Sequence, residues 1–182
     1  MKRGFVVVLL SSLTLLGAVP TFAADGAALY RTYCASCHQE DGQGIPGTYP
    51  FIDGPIGRLS TLPEGREFLV AAVLFGLKGE LVQRGVTYDG EMPGFAAAMR
   101  DEEVAALLNW LKTQWKNANF GASAPDYTPE EVARVRALSL KPEQVMAKLQ
   151  AVEEILHAKG PGGPGQGNCP DHAPPAGRGP GR

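Results

Sequence analysis

The chain has 182 residues, which is enough for one ordinary domain with additional segments. Its formal net charge is −2, so the composition excludes the strongly basic surface that a nucleic-acid-binding protein needs. Only three cysteines and three histidines occur, so each can be considered individually as a candidate functional group.

The first 23 residues are predicted to be a cleaved signal peptide. Lys2 and Arg3 precede an apolar run over residues 4–19, and Thr21 and Ala23 supply small side chains at the −3 and −1 positions of a cleavage site. The alternative is an uncleaved membrane anchor, but the apolar run is shorter than the roughly 20 residues of a spanning helix. We therefore expect a periplasmic mature protein.

The mature chain is predicted to be all-α with one small β-hairpin. Asp25 is a suitable N-cap for a first helix within the sequence DGAALYRTYCASCH. Residues 39–62 are rich in glycine and proline and are expected to form a loop. A second helix is expected over residues 64–77, ending near Gly76 or Gly79.

The middle of the chain combines β-prone and amphipathic patterns. Two short runs around residues 81–83 and 86–88 indicate strands, and Asp89-Gly90 is a turn signal. From Asp101 to about Asn117 the apolar spacing predicts a helix. The apolar stripe of that helix comprises Val104, Leu107, Leu108, Leu111 and Trp115.

A C-terminal extension is predicted to contain two further helices. Thr128, Pro129 and Glu131 match the N-cap, N1 and N3 positions of a capping box. A last helix follows Pro142, and its apolar residues at helical spacing are Val145, Leu149, Val152 and Leu156. We expect a core domain over 24–120, a helical extension over 121–159 and a disordered Gly/Pro-rich tail over 160–182.

The sequence Cys34-Ala-Ser-Cys37-His38 is the attachment motif of c-type haem. Two thiols on one helical turn can form thioethers with the two vinyl groups of the porphyrin, and the adjacent imidazole can bind the iron. A Cys34–Cys37 disulfide, a zinc site and a thioredoxin-like redox motif remain alternatives. For zinc, the other available ligands would be His157, Cys169 and His172.

Met92 is the predicted sixth ligand of the haem iron. It lies in the sequence DGEMPGF, where Pro93 disfavours a helical conformation of Met92 and an extended residue could point its thioether at a cofactor. Met99 and Met146 are predicted to serve packing instead. His38 should donate its second ring N–H to a fixed acceptor, for which the Pro46 carbonyl is the candidate. The expected apolar haem neighbours are Ile45, Phe51, Phe68, Leu69, Val73, Tyr88 and Phe95.

Residues 25–119 resemble a class I monohaem bacterial cytochrome c. The resemblance is carried by DGAALYRTYCASCH, GREFLVAAVLFGL, VTYDGEMPGF and RDEEVAALLNWL. Through YTPEEVARVRALSLKPEQVMAKLQAV it extends to the soluble thermophile-type subgroup with a C-terminal helical segment. That subgroup donates electrons to a haem–copper terminal oxidase.

The resemblance implies a class I cytochrome c fold with one covalent haem c. Cys34 and Cys37 would carry the thioethers, and His38 and Met92 would be the axial ligands. Gly26 and Tyr30 would pack against Leu107 and Leu111, and the extension would wrap the rear of the haem crevice. The tail after Lys159, which contains Cys169, has no counterpart in the subgroup.

The implied function is electron transfer without catalysis. The expected partners are a respiratory electron donor and a haem–copper terminal oxidase, met by a monomer in transient complexes, some at the membrane surface. Neither nucleic acid nor a small-molecule substrate is expected. Lys78, Arg84 and Lys112 are candidate basic residues for docking. Two alternatives stay open: a dedicated haem subunit of a periplasmic dehydrogenase or reductase, and a ligand-binding or peroxidatic haem with an open sixth site.

Overall fold

The computed structural model describes residues 24–158, with side chains to residue 156. The predicted signal peptide and Gly/Pro-rich tail, with Cys169 and His172, lie outside the described residues. In chain order the elements are α1 (Gly26–Tyr33), α2 (Ala35–His38), α3 (Pro55–Leu59), α4 (Pro63–Phe75), β1 (Leu77–Gln83), β2 (Val86–Met92), α5 (Asp101–Leu111), a 3-10 helix (Trp115–Asn117), α6 (Ala118–Gly121), α7 (Pro129–Arg136) and α8 (Pro142–Ala158). No helix in this range is long and apolar enough to cross a membrane.

Helix α1 packs against α5, as the resemblance implied. Asp25 caps α1, since its carboxylate accepts hydrogen bonds from the backbone N–H groups of Ala27 and Ala28. A Cβ on Gly26 would lie 2.5 Å from the Ala106 carbonyl oxygen and from the Trp110 Cβ. Only glycine allows so close an approach of the two helices. The contacts of Gly26 are therefore with Ala106 and Trp110, while Leu107 and Leu111 lie in the same hydrophobic core.

The β-hairpin is confirmed, with its turn between the two predicted runs, but Asp89-Gly90 does not form a turn. Arg84 and Gly85 connect β1 and β2, and both have positive φ angles, 50° and 74°. This conformation suits the two-residue turns that match the twist of antiparallel strands. Asp89 and Gly90 are instead inside β2, opposite Glu80 and Gly79. The Asp-Gly signal was misleading because the strands continue to Leu77 and Met92.

Two predicted segments do not have the predicted extent in the structure. The loop of residues 39–62 contains α3, which begins at Pro55 and buries Ile56 and Leu59. Helix α5 ends at Leu111, and Trp115 follows a break with a φ of 48°. Trp115 therefore does not belong to the α5 stripe, and its ring packs edge-on against that of Tyr30, with 5.4 Å between the centroids.

The two helices of the extension are confirmed and cover the outer face of the core. Helix α7 packs against α4 and α5, and α8 packs against α4 and β1. The fully buried valines of the extension are Val132, Val145 and Val152, each at 1 % exposure or less. Burial of one such aliphatic side chain stabilises the fold by roughly 1.5–3 kcal/mol, so the extension is an integral part of the folded core.

The predicted capping box of α7 forms only in part. The Thr128 hydroxyl accepts a hydrogen bond from the Glu131 backbone N–H at 3.2 Å. The Glu131 carboxylate does not return to Thr128 but binds the Arg66 guanidinium at 2.6 Å. An ion pair between α4 and α7 has replaced the second bond of the box.

Candidate haem-binding site

The cysteine motif forms a single helical turn, as its proposed chemistry requires. Helix α1 ends at Tyr33, the backbone bends at Cys34 (φ −119°), and α2 covers residues 35–38. The backbone N–H groups of Cys37 and His38 donate to the Cys34 carbonyl at 3.2 and 2.9 Å. The thiols of Cys34 and Cys37 are not joined in a disulfide, and Cys34 is partly buried against the core.

The environment of Cys34 does not favour the redox alternative. Burial, and to a smaller extent the neighbouring Cys37, raise the pKa of the Cys34 thiol to about 12. Reactive cysteines of thioredoxin-like motifs instead have depressed pKa values. Among the described residues, no three His, Cys, Asp or Glu side chains converge as a zinc site would require.

The His38 imidazole has a fixed orientation. Its Nδ1 atom lies 2.9 Å from the Pro50 carbonyl oxygen and donates to it. The acceptor predicted from the sequence, Pro46, is therefore wrong. Burial lowers the pKa of His38, and the bond to Pro50 opposes this shift only in part. The imidazole is thus held neutral with its proton on Nδ1, which leaves the Nε2 lone pair available to a metal.

A tight loop explains why Pro50 rather than Pro46 faces His38. The Ile45 backbone N–H donates to the Tyr49 carbonyl at 2.9 Å, which turns the chain back on itself. At Gly44 (φ 63°) a Cβ would lie 2.5 Å from the Pro50 oxygen, so a side chain there would displace the acceptor. Sequence reasoning could not separate two prolines in one loop, because the choice depends on where the loop closes.

Asn117 fixes the part of the loop that follows Pro50, through hydrogen bonds from its side chain. Its side chain is fully buried, and Oδ1 accepts hydrogen bonds from the backbone N–H groups of Gly54 at 2.7 Å and Gly57 at 3.0 Å. Its Nδ2 group donates to the Ile52 carbonyl at 3.0 Å. Three backbone groups, in the loop and in the first turn of α3, thereby receive a partner from Asn117. No local pattern marks this role, since Asn117 was expected to end a helix.

Asp53 makes a second connection between the same two segments. It is 2 % exposed, and its Oδ1 accepts from the Lys116 backbone N–H at 2.7 Å. Its Oδ2 accepts from the Gln43 side chain at 2.6 Å and pairs with the Lys116 ammonium at 3.2 Å. Asp53 and Asn117 together fix the loop that carries the Pro50 carbonyl.

Met92 is the last residue of β2 rather than part of a free loop. It pairs with Leu77 across the hairpin and is partly buried. A Cβ on Gly76 would overlap the Met92 carbonyl oxygen, so the end of α4 touches the backbone of Met92. The extended conformation predicted from Pro93 is confirmed. Met99 and Met146 are buried in the core, as expected for packing residues.

The segment after Met92 links the hairpin to the cysteine motif. The backbone N–H groups of Phe95 and Ala96 donate to the Val73 and Leu74 carbonyls of α4, both at 2.9 Å. The Phe95 ring packs edge-on against Tyr33, with 5.4 Å between centroids. Because Tyr33 directly precedes Cys34, this contact brings the Met92 segment beside the proposed attachment helix.

Comparison with known proteins decides the family. A model of the family described as "Cytochrome c" matches residues 23–115. A cytochrome c-552 of Thermus thermophilus is 41% identical over 139 residues, which is 76% of this chain and 93% of that protein. The chain belongs to the cytochrome c family. The class I monohaem fold, one covalently bound haem c and a role in electron transport, all implied by the resemblance, are thus confirmed.

Less similar relatives are larger proteins, and this chain matches only about one quarter of their length. The fructose dehydrogenase cytochrome subunit of Gluconobacter japonicus is 32% identical to this cytochrome over 123 residues, 64% of this chain and 23% of that protein. The alcohol dehydrogenase (quinone) cytochrome c subunit of Gluconacetobacter polyoxogenes is 28% identical over 65% of this chain and 25% of its own length. The match to Thermus cytochrome c-552 extends much further along both chains.

The residues of this cytochrome fit a haem. Free thiols at Cys34 and Cys37 and a neutral His38 with an available Nε2 form the donor set of haem c. A small cleft between the His38 loop and the hairpin includes Phe51 and Tyr88 among its lining residues. Gln83 also borders it, and Gln83 Oε1 is buried without a hydrogen-bond partner among the described residues, as at sites that accommodate a bound polar group.

The apolar residues predicted around the haem divide into two groups. Phe68, Leu69, Val73 and Tyr88 are buried, whereas Phe51 and Phe95 are partly buried. Ile45 is 42% exposed, and its place beside the haem stays a prediction.

One predicted docking residue of this cytochrome is not at the surface. Lys112 is 3% exposed, and its ammonium donates to the Ala124 carbonyl at 2.6 Å and pairs with Asp126 at 2.9 Å. It anchors the start of the extension and cannot meet a partner protein. Lys78 and Arg84 are exposed, so their predicted role remains a prediction.

Proposed function

We propose that this cytochrome is a periplasmic electron shuttle that delivers single electrons to a haem–copper terminal oxidase. Cys34 and Cys37 would hold the haem by thioethers, and His38 and Met92 would bind its iron. The protein has no substrate of its own and is not an enzyme. The observation that carries the proposal is the His38–Pro50 contact beside two free thiols, in a chain that matches Thermus cytochrome c-552 over 93% of that protein.

The chain supplies attachment, orientation and burial, while haem c supplies a one-electron ferric–ferrous couple. The α2 turn presents both thiols from one side, and the Pro50 carbonyl holds the imidazole with Nε2 free. A methionine ligand and apolar surroundings both raise the reduction potential, as suits a donor to a terminal oxidase. The bond of His38 to Pro50 and the strand pairing of Met92 would hold both ligands in place, which would keep reorganisation on electron transfer small.

Exposed apolar residues favour a docking contact that depends weakly on salt. Ile45, Tyr49 and Val82 are 42%, 37% and 56% exposed, on the His38 loop and the hairpin. Lys78 is already surrounded by Glu91 at 3.7 Å and Glu143 at 4.0 Å, which reduces its attraction for an acidic partner. A small apolar contact agrees with the transient complexes of electron carriers.

A second candidate function is supported by the dehydrogenase relatives. The cytochrome could serve one periplasmic dehydrogenase as its dedicated haem subunit, because the haem chemistry would be the same and only the partner would differ. The short matched share of those proteins, 23% and 25%, makes this the second choice. Co-purification with a catalytic subunit at fixed stoichiometry would favour it.

The ligand assignment is tested by replacing each methionine of the core with leucine, which has nearly the same volume. Met92→Leu should abolish the sulfur-to-iron charge-transfer band of the ferric protein and lower the reduction potential. Met99→Leu and Met146→Leu are the matched controls and should keep the band. An unaltered spectrum of Met92→Leu would show that the ligand lies elsewhere, and prompt carbon monoxide binding by the ferrous wild type would indicate an open sixth site.

The partner assignment is tested by stopped-flow mixing of the reduced cytochrome with a purified haem–copper oxidase and, separately, of the oxidised cytochrome with a reduced periplasmic dehydrogenase. We expect rapid oxidation by the oxidase, with a rate that changes little between low and high salt. If the cytochrome reduces the oxidase more slowly than the dehydrogenase reduces the cytochrome, the second function is favoured.

A further inference from the structure

We propose that Arg136 is a positioning residue for the Met92 ligand, through which the C-terminal extension holds the sixth ligand on the haem iron. Arg136 is the last residue of α7, yet all three of its side-chain hydrogen bonds reach the segment that follows Met92 and the start of α5. The inference rests on the proposed ligation by Met92.

The guanidinium of Arg136 binds two backbone carbonyls at once. Nη1 donates to the Ala96 oxygen at 2.6 Å, and Nη2 donates to the Met99 oxygen at 2.8 Å. The planar fork of an arginine can bridge two fixed acceptors in this way, which a lysine ammonium cannot reproduce. Bonds from a charged donor are stronger than those between neutral groups.

Asp101 holds the guanidinium in place. Its Oδ1 accepts from Arg136 Nε at 2.7 Å, and both side chains are little more than one quarter exposed. Because Asp101 binds Nε, the two terminal nitrogens Nη1 and Nη2 stay oriented toward the two carbonyls. Asp101 also begins α5, so the same contact ties α7 to the first turn of α5.

The segment from Met92 to Met99 is otherwise held by β1, α4 and the Tyr33 ring. Phe95 and Ala96 donate to α4 through their backbone N–H groups, and Met99 inserts its side chain into the core. Pro93, Gly94, Ala97 and Ala98 are exposed. Arg136 thus adds bonds from α7 to a stretch of backbone that is otherwise bonded to α4. A displacement of Met92 that carried residues 96–99 along would break both carbonyl bonds.

Arg66 provides a natural comparison, because it anchors the extension without touching this segment. Its guanidinium binds the Glu131 carboxylate and the carbonyls of Pro125 and Asp126, and it lies 3.9 Å above the Tyr127 ring. Loss of Arg66 should loosen the extension about as much as loss of Arg136. Only the loss of Arg136 should act directly on the Met92 segment.

The test is the affinity of the ferric full-length holoprotein for imidazole, an external ligand that must displace Met92. We expect Arg136→Gln to bind imidazole at least tenfold more tightly than wild type, because less interaction must be broken to open the segment. Arg66→Gln should stay within about twofold. Asp101→Asn should also stay within about twofold, since both carbonyl bonds remain. The free energy of unfolding is measured for each variant alongside.

Several outcomes would overturn the inference. Unchanged imidazole affinity in Arg136→Gln would do so, as would an equal rise in Arg66→Gln, which would assign the effect to the extension as a whole. An equal rise in Asp101→Asn would assign it to the ion pair. Failure of the proposed ligation is recognised separately, because wild-type protein would then lack the sulfur-to-iron charge-transfer band before any variant is compared.

Discussion

The His38 side and the Met92 side of the site are held by different means. The loop that carries the Pro50 carbonyl is fixed by two buried polar side chains, Asp53 and Asn117, at 2% and 0% exposure. Met92 ends a partly exposed hairpin, and the segment after it is bonded by the partly exposed Arg136 of the extension. The His38 support comes from residues that precede the C-terminal extension, whereas the Met92 support comes in part from α7 of the extension.

This difference follows from how each proposed ligand is tethered. His38 is adjacent to Cys37, so a thioether would keep its imidazole near the iron even if the loop moved. Met92 lies far along the chain, so as a ligand it would be held only by coordination to the iron and by the protein packed around its segment. We infer that Met92 is the more weakly tethered ligand, and that the C-terminal extension contributes more to holding Met92 than to holding His38.

The largest effect is expected from removing the covalent tether itself. In Cys34→Ala/Cys37→Ala, no thioether can form, so the purified protein should have the mass of the polypeptide alone and give no haem stain on a denaturing gel. Cys169→Ala is the control, and it should retain the mass and colour of the holoprotein. Retention of covalent haem by the double variant would refute the attachment assignment.

A large and selective effect is expected from Asn117→Ala on the His38 side. The change leaves the N–H groups of Gly54 and Gly57 without their partner, and each buried unsatisfied group costs about 1–3 kcal/mol. We expect a loss of about 3 kcal/mol in the free energy of unfolding by guanidinium chloride. The exposed Asn119 provides the control, and Asn119→Ala should change stability by less than about 0.5 kcal/mol.

The same variant sharpens the comparison between the two sides. If the supports are separate, Asn117→Ala should leave the imidazole affinity of the ferric protein near its wild-type value while stability falls. A rise in imidazole affinity that matches that of Arg136→Gln would show that the His38 side and the Met92 side form one cooperative unit and do not have separate supports.

A smaller loss is expected from Lys112→Met, which weakens the attachment of the extension. Methionine retains most of the side-chain volume but leaves the Ala124 carbonyl without its donor and removes the pair with Asp126. We expect a loss of about 2 kcal/mol in the free energy of unfolding. Lys141→Met changes an exposed lysine of the same extension and should be nearly neutral. Equal effects of the two substitutions would contradict the anchoring role of Lys112.

Sequence patterns predicted the elements better than the contacts between them. The cap at Asp25, the end of α4 at Gly76 and both extension helices follow from local rules of capping and apolar spacing. The CxxCH motif also placed two cysteines and a histidine on one turn, because their spacing alone determines that arrangement.

The contacts that the sequence did not predict are those between residues far apart in the chain. The roles of Pro50, Asn117 and Arg136 each require a partner more than ten residues away, and no local periodicity marks such a residue. Lys112 was misassigned to the surface for the same reason, since lysines are seldom buried and its acceptors belong to the extension. Where local and distant requirements compete, as at the Asp89-Gly90 signal, the longer strand pairing prevailed.

The smallest predicted effect concerns Tyr127, where the extension meets α3. Burial raises the pKa of the Tyr127 hydroxyl to about 12, and this hydroxyl lies 2.9 Å from that of Ser60. In the unfolded chain the tyrosine pKa is about 10, so the folded state keeps a proton that the unfolded state loses above this pH. Stability from this group is complete below about pH 10 and declines as the pH rises through about 12.

Comparison with Tyr127→Phe isolates this contribution, because the other titrating groups are the same in both proteins. At pH 11 the wild type should have lost about 1.4 kcal/mol more of its free energy of unfolding, relative to pH 9, than the variant has. Parallel stability curves over this range would show that Tyr127 is accessible to solvent in the folded protein. The extension would then be detached from α3 at alkaline pH. The proposed support of the Met92 segment by Arg136 would have to be independent of the contact between Tyr127 and Ser60.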